Sequence, residues 1–195
     1  MDADIVDTIK IKDIYVHKAK ILSGEITQGD TIKTSINKIR RNSTARNHTA
    51  THLLHKALKM IVGNHIEQAG SYVTKDMLRF DFTHFEPISK EDLNKIDSIT
   101  CSYSFQFKAV SSTNMSIEEA KKIGATTLFG EKYGNKVRVI TVPDFSMELC
   151  GGTHVANIGQ IGAIKILSEN GVAAGVRRIE AVTGVAVSNM LAKEQ

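Results

Sequence analysis

Four side chains in two short runs have the types and the spacing to bind one metal ion. His48 and His52 lie four residues apart in the run NHTATHLLH at residues 47–55. On a helix this spacing puts both imidazoles on one face, with Cβ atoms about 6 Å apart. Cys150 and His154 bound the run Cys-Gly-Gly-Thr-His roughly a hundred residues later, and zinc accepts both sulfur and imidazole ligands. The sequence therefore predicts one zinc site, provided that the fold brings the two runs together.

Simpler interpretations compete with a metal site. A lone His-x-x-x-His pair on a helix is usually a surface feature, and a cysteine near a histidine usually belongs to a core. The presence of both pairs in a chain with only two cysteines favours metal binding. His55 follows His48 by seven residues, so helical spacing would permit it as a ligand too. A zinc peptidase would need a glutamate general base directly after the first histidine; Thr49 occupies that position, so we set that class aside.

Length and composition limit the functional classes. A chain of 195 residues with 42% hydrophobic residues can form one domain of good size, or a small domain beside a larger one. A net charge of +4 and a pI near 9.0 are compatible with a phosphate-rich partner, although many such proteins bind no nucleic acid. Two cysteines supply no disulfide framework, and Cys101 is expected to be a small buried side chain. The sequence contains neither a signal peptide nor a run of about 20 apolar residues, so we expect a cytoplasmic protein with no membrane partner.

The first 40 residues predict a small β module. Isoleucine and valine alternate with polar residues from Ile5 to Ile39, and Gly24 and Gly29 punctuate the pattern as turns. Several short strands joined by tight turns are therefore expected, forming a small barrel-like or antiparallel sheet.

A helix is predicted to carry the first histidine pair. Ser43 or Thr44 is the expected N-cap, an apolar stripe continues to about residue 62, and Gly63 is the expected stop. A group of basic residues extends into this helix, and its members are Lys38, Arg40, Arg41 and Arg46. A solvated surface and a contact with the phosphate backbone of an RNA are both open interpretations of this group.

The remaining segments predict further strands and two further helices. Residues 78–82 alternate with three apolar side chains on one face, and capping signals at Ser89 and Ser116 predict helices after them. Strands are expected at 137–142, 161–167 and 176–182, with a turn near residues 170–171 and a helical tail from 185 to 195. The fold class that follows is α+β, with a mixed or antiparallel sheet packed with helices. The expected strands of that sheet contain Phe80, Val137, Ile164 and Val176.

Five segments give the chain a specific resemblance. They are, in order, RNHTATHLLH (46–55), LRFDF (78–82), LFGEKYGNKVRV (128–139), ELCGGTHV (148–155) and GVRRIEAVTG (175–184). In this order they resemble the editing domain of alanyl-tRNA synthetase, and they extend over roughly residues 40–184. The editing domain of threonyl-tRNA synthetase is a broader relative that shares the histidine and Cys/His pairs but resembles the rest less. Residues 100–107 depart from the family's pattern, so no role is assigned there.

The resemblance implies a domain order and an activity. It implies a small β-barrel-like module at 1–40, an editing (deacylase) domain at 41–184, and the start of a truncated helix at 185–195. The chain would then be a synthetase fragment, cut at both ends, that lacks the aminoacylation domain. The implied reaction is zinc-dependent hydrolysis of mischarged seryl- or glycyl-tRNA(Ala). The implied partners are the acceptor end of that tRNA and the remainder of the synthetase, with no DNA.

Individual roles follow for the residues that match the family's motifs. The implied ligands of Zn²⁺ are His48, His52, Cys150 and His154, and the implied catalytic and pocket residues are Thr51, Gln68 and Cys150. The candidate tRNA contacts are Arg40, Arg41, Arg46, Arg177 and Arg178. Because neighbouring residues on a strand point to opposite faces, at most one of the last two is expected to face the pocket.

Two questions stay open at the level of sequence. Four protein ligands make a closed tetrahedral site, whereas catalytic zinc normally keeps one position free. One ligand could be displaceable, the coordination could expand, or the ion could mainly orient substrate and water. The alternative functions are a free-standing alanyl-tRNA editing protein that works in trans and a zinc-stabilised RNA-binding module without catalysis.

Overall fold

Helices and antiparallel strands alternate along the chain, which confirms the α+β class. The computed structural model describes residues 1–12, 14–127 and 134–193. The chain divides into two compact units, Met1–Ile36 and Asn37–Gln195, and all four candidate ligands lie in the second unit. Residues 128–133, within one of the resembling segments, and residues 194–195, at the end of the expected C-terminal helix, lie outside the described residues.

The first unit contains one antiparallel hairpin, which corrects the expectation of several short strands. Strand β1 (Asp2–Ile11) pairs with β2 (Ile14–Ser23), and Lys12, with φ of 54°, lies between them. The described residues of this unit form no closed barrel. Gly24 and Gly29 do adopt positive φ angles, but both follow β2. An alternating pattern does not show where one strand ends, so two strands of ten residues were mistaken for more numerous shorter ones.

Helix α1 (Lys38–Ile61) begins earlier than predicted. The Asn37 side chain caps it by accepting a hydrogen bond from the Arg40 N–H at 2.9 Å. Neither Ser43 nor Thr44 is the cap, because both lie inside the helix, where the Thr44 hydroxyl donates to the Arg40 carbonyl at 3.0 Å. The basic group is therefore part of the helix, and its N-terminal members lie in the first turn.

The apolar face of α1 positions the histidine pair. Gly63, with φ of 140°, follows the helix as expected and lets the chain leave it. Small and branched side chains on the buried face lock the helix against the neighbouring sheet, so the histidines on the same helix have a fixed base. These buried residues are Ala50, Leu53, Leu54, Ala57 and Leu58.

A four-stranded antiparallel sheet packs against α1. Its strand order is β3-β4-β9-β8, so the two central strands come from distant parts of the chain. The final turn lies at Gly175, with φ of 69°, and not near residues 170–171 as predicted, because β8 continues to Ala173. The strands are β3 (Gln68–Val73), β4 (Leu78–Thr83), β8 (Ile164–Ala173) and β9 (Val176–Thr183).

A second, three-stranded sheet corrects the expectation of one sheet. Strand β6 (Lys136–Val142) pairs with β5 (Ser111–Ser116) and with β7 (Ser146–Leu149), so the Val137 segment does not join the strands of Phe80, Ile164 and Val176. Both neighbours of β6 were missed by the sequence analysis. Strand β5 is polar and rich in serine, and β7 has only four residues, so apolar alternation did not identify the first and length did not identify the second.

The other helices follow their predicted caps. Ser89 accepts a hydrogen bond from the Asp92 N–H at the start of α2 (Lys90–Ser104). Ser116 forms a capping box with Glu119 at the start of α3 (Ile117–Lys122). Among the described residues, no helix has the length and apolar character needed to cross a membrane. The remaining elements are a 3₁₀ turn (Ile158–Gln160) and α4 (Val185–Leu191).

Replacing Phe80 by alanine is expected to lower the free energy of unfolding by about 3–5 kcal/mol. Phe80 is fully buried on β4 and stacks on Phe82 with ring centroids 6.0 Å apart, so its removal leaves a cavity in the core. Phe85→Ala is the matched control, because that ring is 84% exposed, and we expect a change within about 0.5 kcal/mol. Urea unfolding followed by circular dichroism measures both, and equal effects would contradict this placement of the core.

Candidate metal centre

The fold brings the two predicted half-sites together. His48 and His52 project from one face of α1, and Cys150 and His154 come from the loop after β7. Their four ligand atoms all lie within 4.8 Å of one another. The Cys150 sulfur lies 3.3 Å from His48 Nε2 and 3.2 Å from His154 Nε2. Residues separated by a hundred positions thus form one cluster that could hold a metal ion.

The donor atoms fit a tetrahedral ion in chemistry and in spacing. Ligand atoms about 2.0–2.3 Å from a tetrahedral zinc ion lie about 3.5 Å from each other. The two sulfur-to-nitrogen distances are close to that value, and the three imidazole rings face a common centre, with centroids 4.3–5.5 Å apart. Three imidazole nitrogens and one sulfur make a borderline-soft donor set of the kind that transition-metal ions prefer.

The loop that carries Cys150 is held from two sides. The Cys150 N–H donates to the Arg138 carbonyl at 3.0 Å, and the Arg138 guanidinium donates to the Gly152 carbonyl and to the Ser112 hydroxyl. Gly152 lies directly against the His48 ring, so closely that a Cβ at this position would collide with it. Gly151, in contrast, has open space where a Cβ would lie. Only the second glycine is therefore required by the packing of the loop.

Thr49 orients the His154 ring. It is fully buried, and its hydroxyl donates to the Ala45 carbonyl at 3.0 Å. Its oxygen accepts a hydrogen bond from the Val155 N–H and lies 3.2 Å from His154 Nδ1. Because the hydroxyl proton is already used, His154 Nδ1 must be the donor to that oxygen, which leaves Nε2 available on the sulfur side. Thr49, which occupies the position of the general-base glutamate in zinc peptidases, therefore supports the candidate ligand His154.

A buried carboxylate lies beside the other end of the cluster. Glu148 is 5% exposed, and its carboxylate lies 2.9 Å from His52 Nδ1 and 3.4 Å from His55 Nδ1. The oxygen near His52 lies off the line of the N–H bond, so this contact is a close charge pair more than an aligned hydrogen bond. His55 packs on the Phe80 ring and is not among the clustered ligands, although helical spacing permitted that role.

Burial and neighbouring charges set the protonation of the cluster. Burial alone would raise the pKa of the Cys150 thiol, but hydrogen bonds from His154, His48 and His52 lower it to about 3. Burial alone would lower the pKa of His52, yet the negative charge of Glu148 and the contact with Cys150 raise it to about 10. The same histidine, together with His55, holds the pKa of Glu148 well below its usual range against the effect of burial. Cys150 is thus a thiolate at neutral pH, the form in which cysteine binds metals.

Thr51 and Gln68 lie beside the cluster. Both line a small recess of about 60 Å³ together with His48, His52 and Cys150. The Thr51 hydroxyl donates to the Asn47 carbonyl at 2.9 Å, so its oxygen can still accept a hydrogen bond. The sequence analysis did not identify Ser71, which also lines this recess from β3. Serine in a short polar strand gives no signal in one sequence that could have selected it.

The five candidate RNA contacts have different surroundings. Arg40 and Arg41 are exposed in the first turn of α1, whereas the Arg46 side chain donates to Ser43 at 2.8 Å. On β9, neighbouring arginines point to opposite faces and each binds a carboxylate. The pairs are Arg177 with Glu169 and Arg178 with Asp81.

Comparison with known proteins identifies the relatives of this chain. Residues 137–180 match the family described as "Threonyl and Alanyl tRNA synthetase second additional domain". The whole chain is 52% identical to alanine–tRNA ligase of Alkaliphilus metalliredigens, and 90% of it is 55% identical to that of Clostridioides difficile. The chain is homologous to a segment of the alanine–tRNA ligases. The alanine–tRNA ligase of Fusobacterium nucleatum is 53% identical over 92% of the chain.

This similarity confirms the resemblance to the editing domain of alanyl-tRNA synthetase. The chain spans about a fifth of the length of the alanine–tRNA ligases that it matches, namely 20–22% of the three named here. The matched family segment contains Cys150 and His154, whereas the histidine pair on α1 lies outside it.

Sequence reasoning missed the residues that support the ligands. Glu148 opens the segment ELCGGTHV, and it was quoted there without a role. Its position between Met147 and Leu149 in a strand was a usable signal, because a charged residue is rarely buried unless it is paired. Thr49 and Arg138 gave no such signal, because neither a threonine nor an arginine shows its hydrogen-bond partners in a single sequence.

Proposed function

We propose that this chain hydrolyses the ester that joins a wrong amino acid, serine or glycine, to tRNA(Ala). This is the proofreading reaction of an alanyl-tRNA synthetase. The observation that carries the proposal is the convergence of His48, His52, Cys150 and His154 in a chain that is similar over its whole length to alanine–tRNA ligases. We also propose that the activity is cytoplasmic.

Zinc is the proposed metal because a thiolate and three imidazoles match its preferred donors. Zn²⁺ held by these four residues would supply Lewis-acid chemistry, which favours attack of water on an ester at neutral pH. The chain's own contribution is positional. Thr49 holds the His154 ring, Arg138 holds the Cys150 loop, and the recess beside the cluster admits only a small aminoacyl group.

The recess must separate serine from alanine by chemistry and not by size. A site that sorted by size alone would accept alanine before serine, so the serine hydroxyl has to be recognised through hydrogen bonds. Thr51 and Gln68 offer such groups on the recess wall, and Ser71 adds a second hydroxyl to the same wall. When alanine enters, these polar groups stay unpaired, which penalises its binding.

Thr51→Val is expected to reduce the preference for seryl-tRNA over alanyl-tRNA about fivefold to tenfold, the value of one hydrogen bond. Gln68→Ala is expected to reduce it in the same direction. Rates of ester loss from the two tRNAs, measured side by side, give the preference directly. Thr51→Ser keeps the hydroxyl and is the matched control, with the preference retained. An unchanged preference in both Thr51→Val and Gln68→Ala would show that these residues do not discriminate.

The first turn of α1 is the proposed contact for the tRNA backbone. It contains no acidic residue, and Arg40 and Arg41 are exposed at the end of the helix where positive charge is unfavourable. An anionic partner would offset this cost. Arg40 lies eight residues before His48, so the basic turn is about 12 Å from the metal cluster along the helix. Arg46 lies between them, whereas Arg177 and Arg178 would contact RNA only in addition to their ion pairs.

A direct test uses the chain with seryl-, glycyl- and alanyl-tRNA(Ala), with and without a zinc chelator. Zinc-dependent release of serine or glycine, with alanine spared, is the expected result. A folded, metal-loaded chain that leaves every ester intact would contradict the proposal for this chain. Hydrolysis without any dependence on zinc would remove the metal from the mechanism.

One observation favours a second candidate, a zinc-stabilised RNA-binding module without catalysis. Four protein ligands complete a tetrahedral set, which is typical of structural zinc sites. Chelation separates the two functions. A structural zinc domain unfolds when its metal is removed, whereas the editing domain should lose activity and keep most of its circular dichroism. A free-standing protein that edits mischarged tRNA(Ala) in trans would carry out the same hydrolysis.

A further inference from the structure

Glu148 is a buried acid whose position is not explained by packing. It lies on β7 and is 5% exposed. Among the described residues, its ion-pair partners are His52 and His55, and no lysine or arginine forms an ion pair with it. The Ser146 hydroxyl donates to its Oε1 at 2.9 Å. Removing a carboxylate from water costs several kcal/mol, so a fold that keeps one here has a use for it.

The contacts of Glu148 indicate that use. One carboxylate oxygen lies 2.9 Å from His52 Nδ1, so Nε2 is the ring nitrogen left for a metal ion. A histidine ligand usually donates its second ring N–H to a carboxylate or carbonyl, which fixes both the ring orientation and the nitrogen that binds the metal. On the other side of the cluster, the Thr49 hydroxyl oxygen lies 3.2 Å from His154 Nδ1, so a second ligand ring also has a polar partner at Nδ1.

We propose that Glu148 is a positioning residue that holds His52 with Nε2 directed at the metal ion. The carboxylate acts on the metal only through the imidazole, and Ser146 and His55 fix the carboxylate in turn. This inference rests on the metal centre of the proposed function. It does not require that the chain be a deacylase, because the role of Glu148 is expressed in metal binding.

The test measures metal affinity in the full chain. Dissociation constants for Zn²⁺ are obtained by competition with a chromophoric chelator, and the visible spectrum of the Co²⁺-loaded chain reports the ligand geometry. Glu148→Ala is expected to weaken Zn²⁺ binding about 100-fold and Glu148→Gln about tenfold, the two ends of the range typical of such supporting partners. The amide keeps an acceptor oxygen for His52, which is why the glutamine variant loses less. Both variants should change the Co²⁺ spectrum.

Val139→Ala is the matched control for a general loss of stability. Val139 is 1% exposed on β6, belongs to the second core cluster, and is neither a candidate ligand nor part of the recess wall. This variant should lower the thermal midpoint and leave the Zn²⁺ affinity within twofold of the original value. If Glu148→Ala does not fold, Glu148→Gln decides, because it preserves the shape of the side chain.

Two outcomes overturn the proposal. A folded Glu148 variant that binds Zn²⁺ within twofold of the unmodified chain shows that the carboxylate does not support His52. An unmodified chain that binds no metal removes the metal centre and the role of Glu148 with it. A failure to hydrolyse any aminoacyl-tRNA, combined with the expected metal affinities, would contradict the proposed function alone.

Discussion

Cys150→Ala is expected to abolish deacylation and to weaken Zn²⁺ binding by more than about 100-fold. Loss of a direct ligand should exceed the loss caused by removing a supporting partner, which reaches about 100-fold. Cys150 is the single sulfur in the cluster, and its thiolate is within 3.3 Å of two imidazole nitrogens. Without it, three imidazoles would have to hold the ion with no anionic ligand to neutralise its charge. Initial rates on seryl-tRNA(Ala) and chelator competition measure the two effects.

Cys101→Ala is the control for this experiment. Cys101 is the only other cysteine of the chain, and it lies half-buried on α2, outside the cluster. Its replacement should leave both the rate and the affinity unchanged, so a general effect of removing a thiol can be recognised. Full deacylation by folded Cys150→Ala would remove the metal from the mechanism and with it the proposed role of the cluster.

Gly152→Ala is expected to weaken Zn²⁺ binding at least tenfold and to reduce deacylation with it, while the domain stays folded. An added Cβ would collide with the His48 ring, and that ring is the partner that can move, because it lies at the end of a partly exposed side chain. A displaced ring takes Nε2 away from the cluster. The backbone of Gly152 has no positive φ, so steric displacement is the only expected effect.

Gly151→Ala is the matched control, one residue away in the same loop. A Cβ there meets no atom within 4 Å, and its φ angle is also not positive, so alanine should be tolerated. Thermal unfolding of both variants establishes that the domain is intact. Equal Zn²⁺ affinities for Gly151→Ala and Gly152→Ala would contradict the close contact between Gly152 and His48.

Local features of the chain could be predicted because they depend on near neighbours. The four-residue spacing of His48 and His52 places them on one helix face wherever that helix packs. The caps at Ser89 and Ser116, and the core face of residues 78–82, follow from contacts within a few residues and agree with the structure. The predicted start of α1 was wrong because Asn37, Ser43 and Thr44 are all common N-cap residues, and the sequence does not show which of them caps the helix.

The ligand types and the family resemblance suggested that the His48/His52 and Cys150/His154 pairs form one site. Neither gives the distances or contacts between the two pairs. Strand pairing between distant segments decided which sheet each strand joined, and it separated the Val137 segment from the other three. Burial is likewise a property of the packed chain, so a single sequence could not show that Glu148 is buried beside His52.

The sequence by itself determined the fold class, the identity of the four candidate ligands and the family that the chain resembles. Only the tertiary structure decided how the ligands are held: Thr49 behind His154, Glu148 beside His52 and Gly152 against His48. The reason is physical. Ligand type and helical spacing depend on residues a few positions apart. The supporting contacts join residues about a hundred positions apart, and these residues come together only when the core packs.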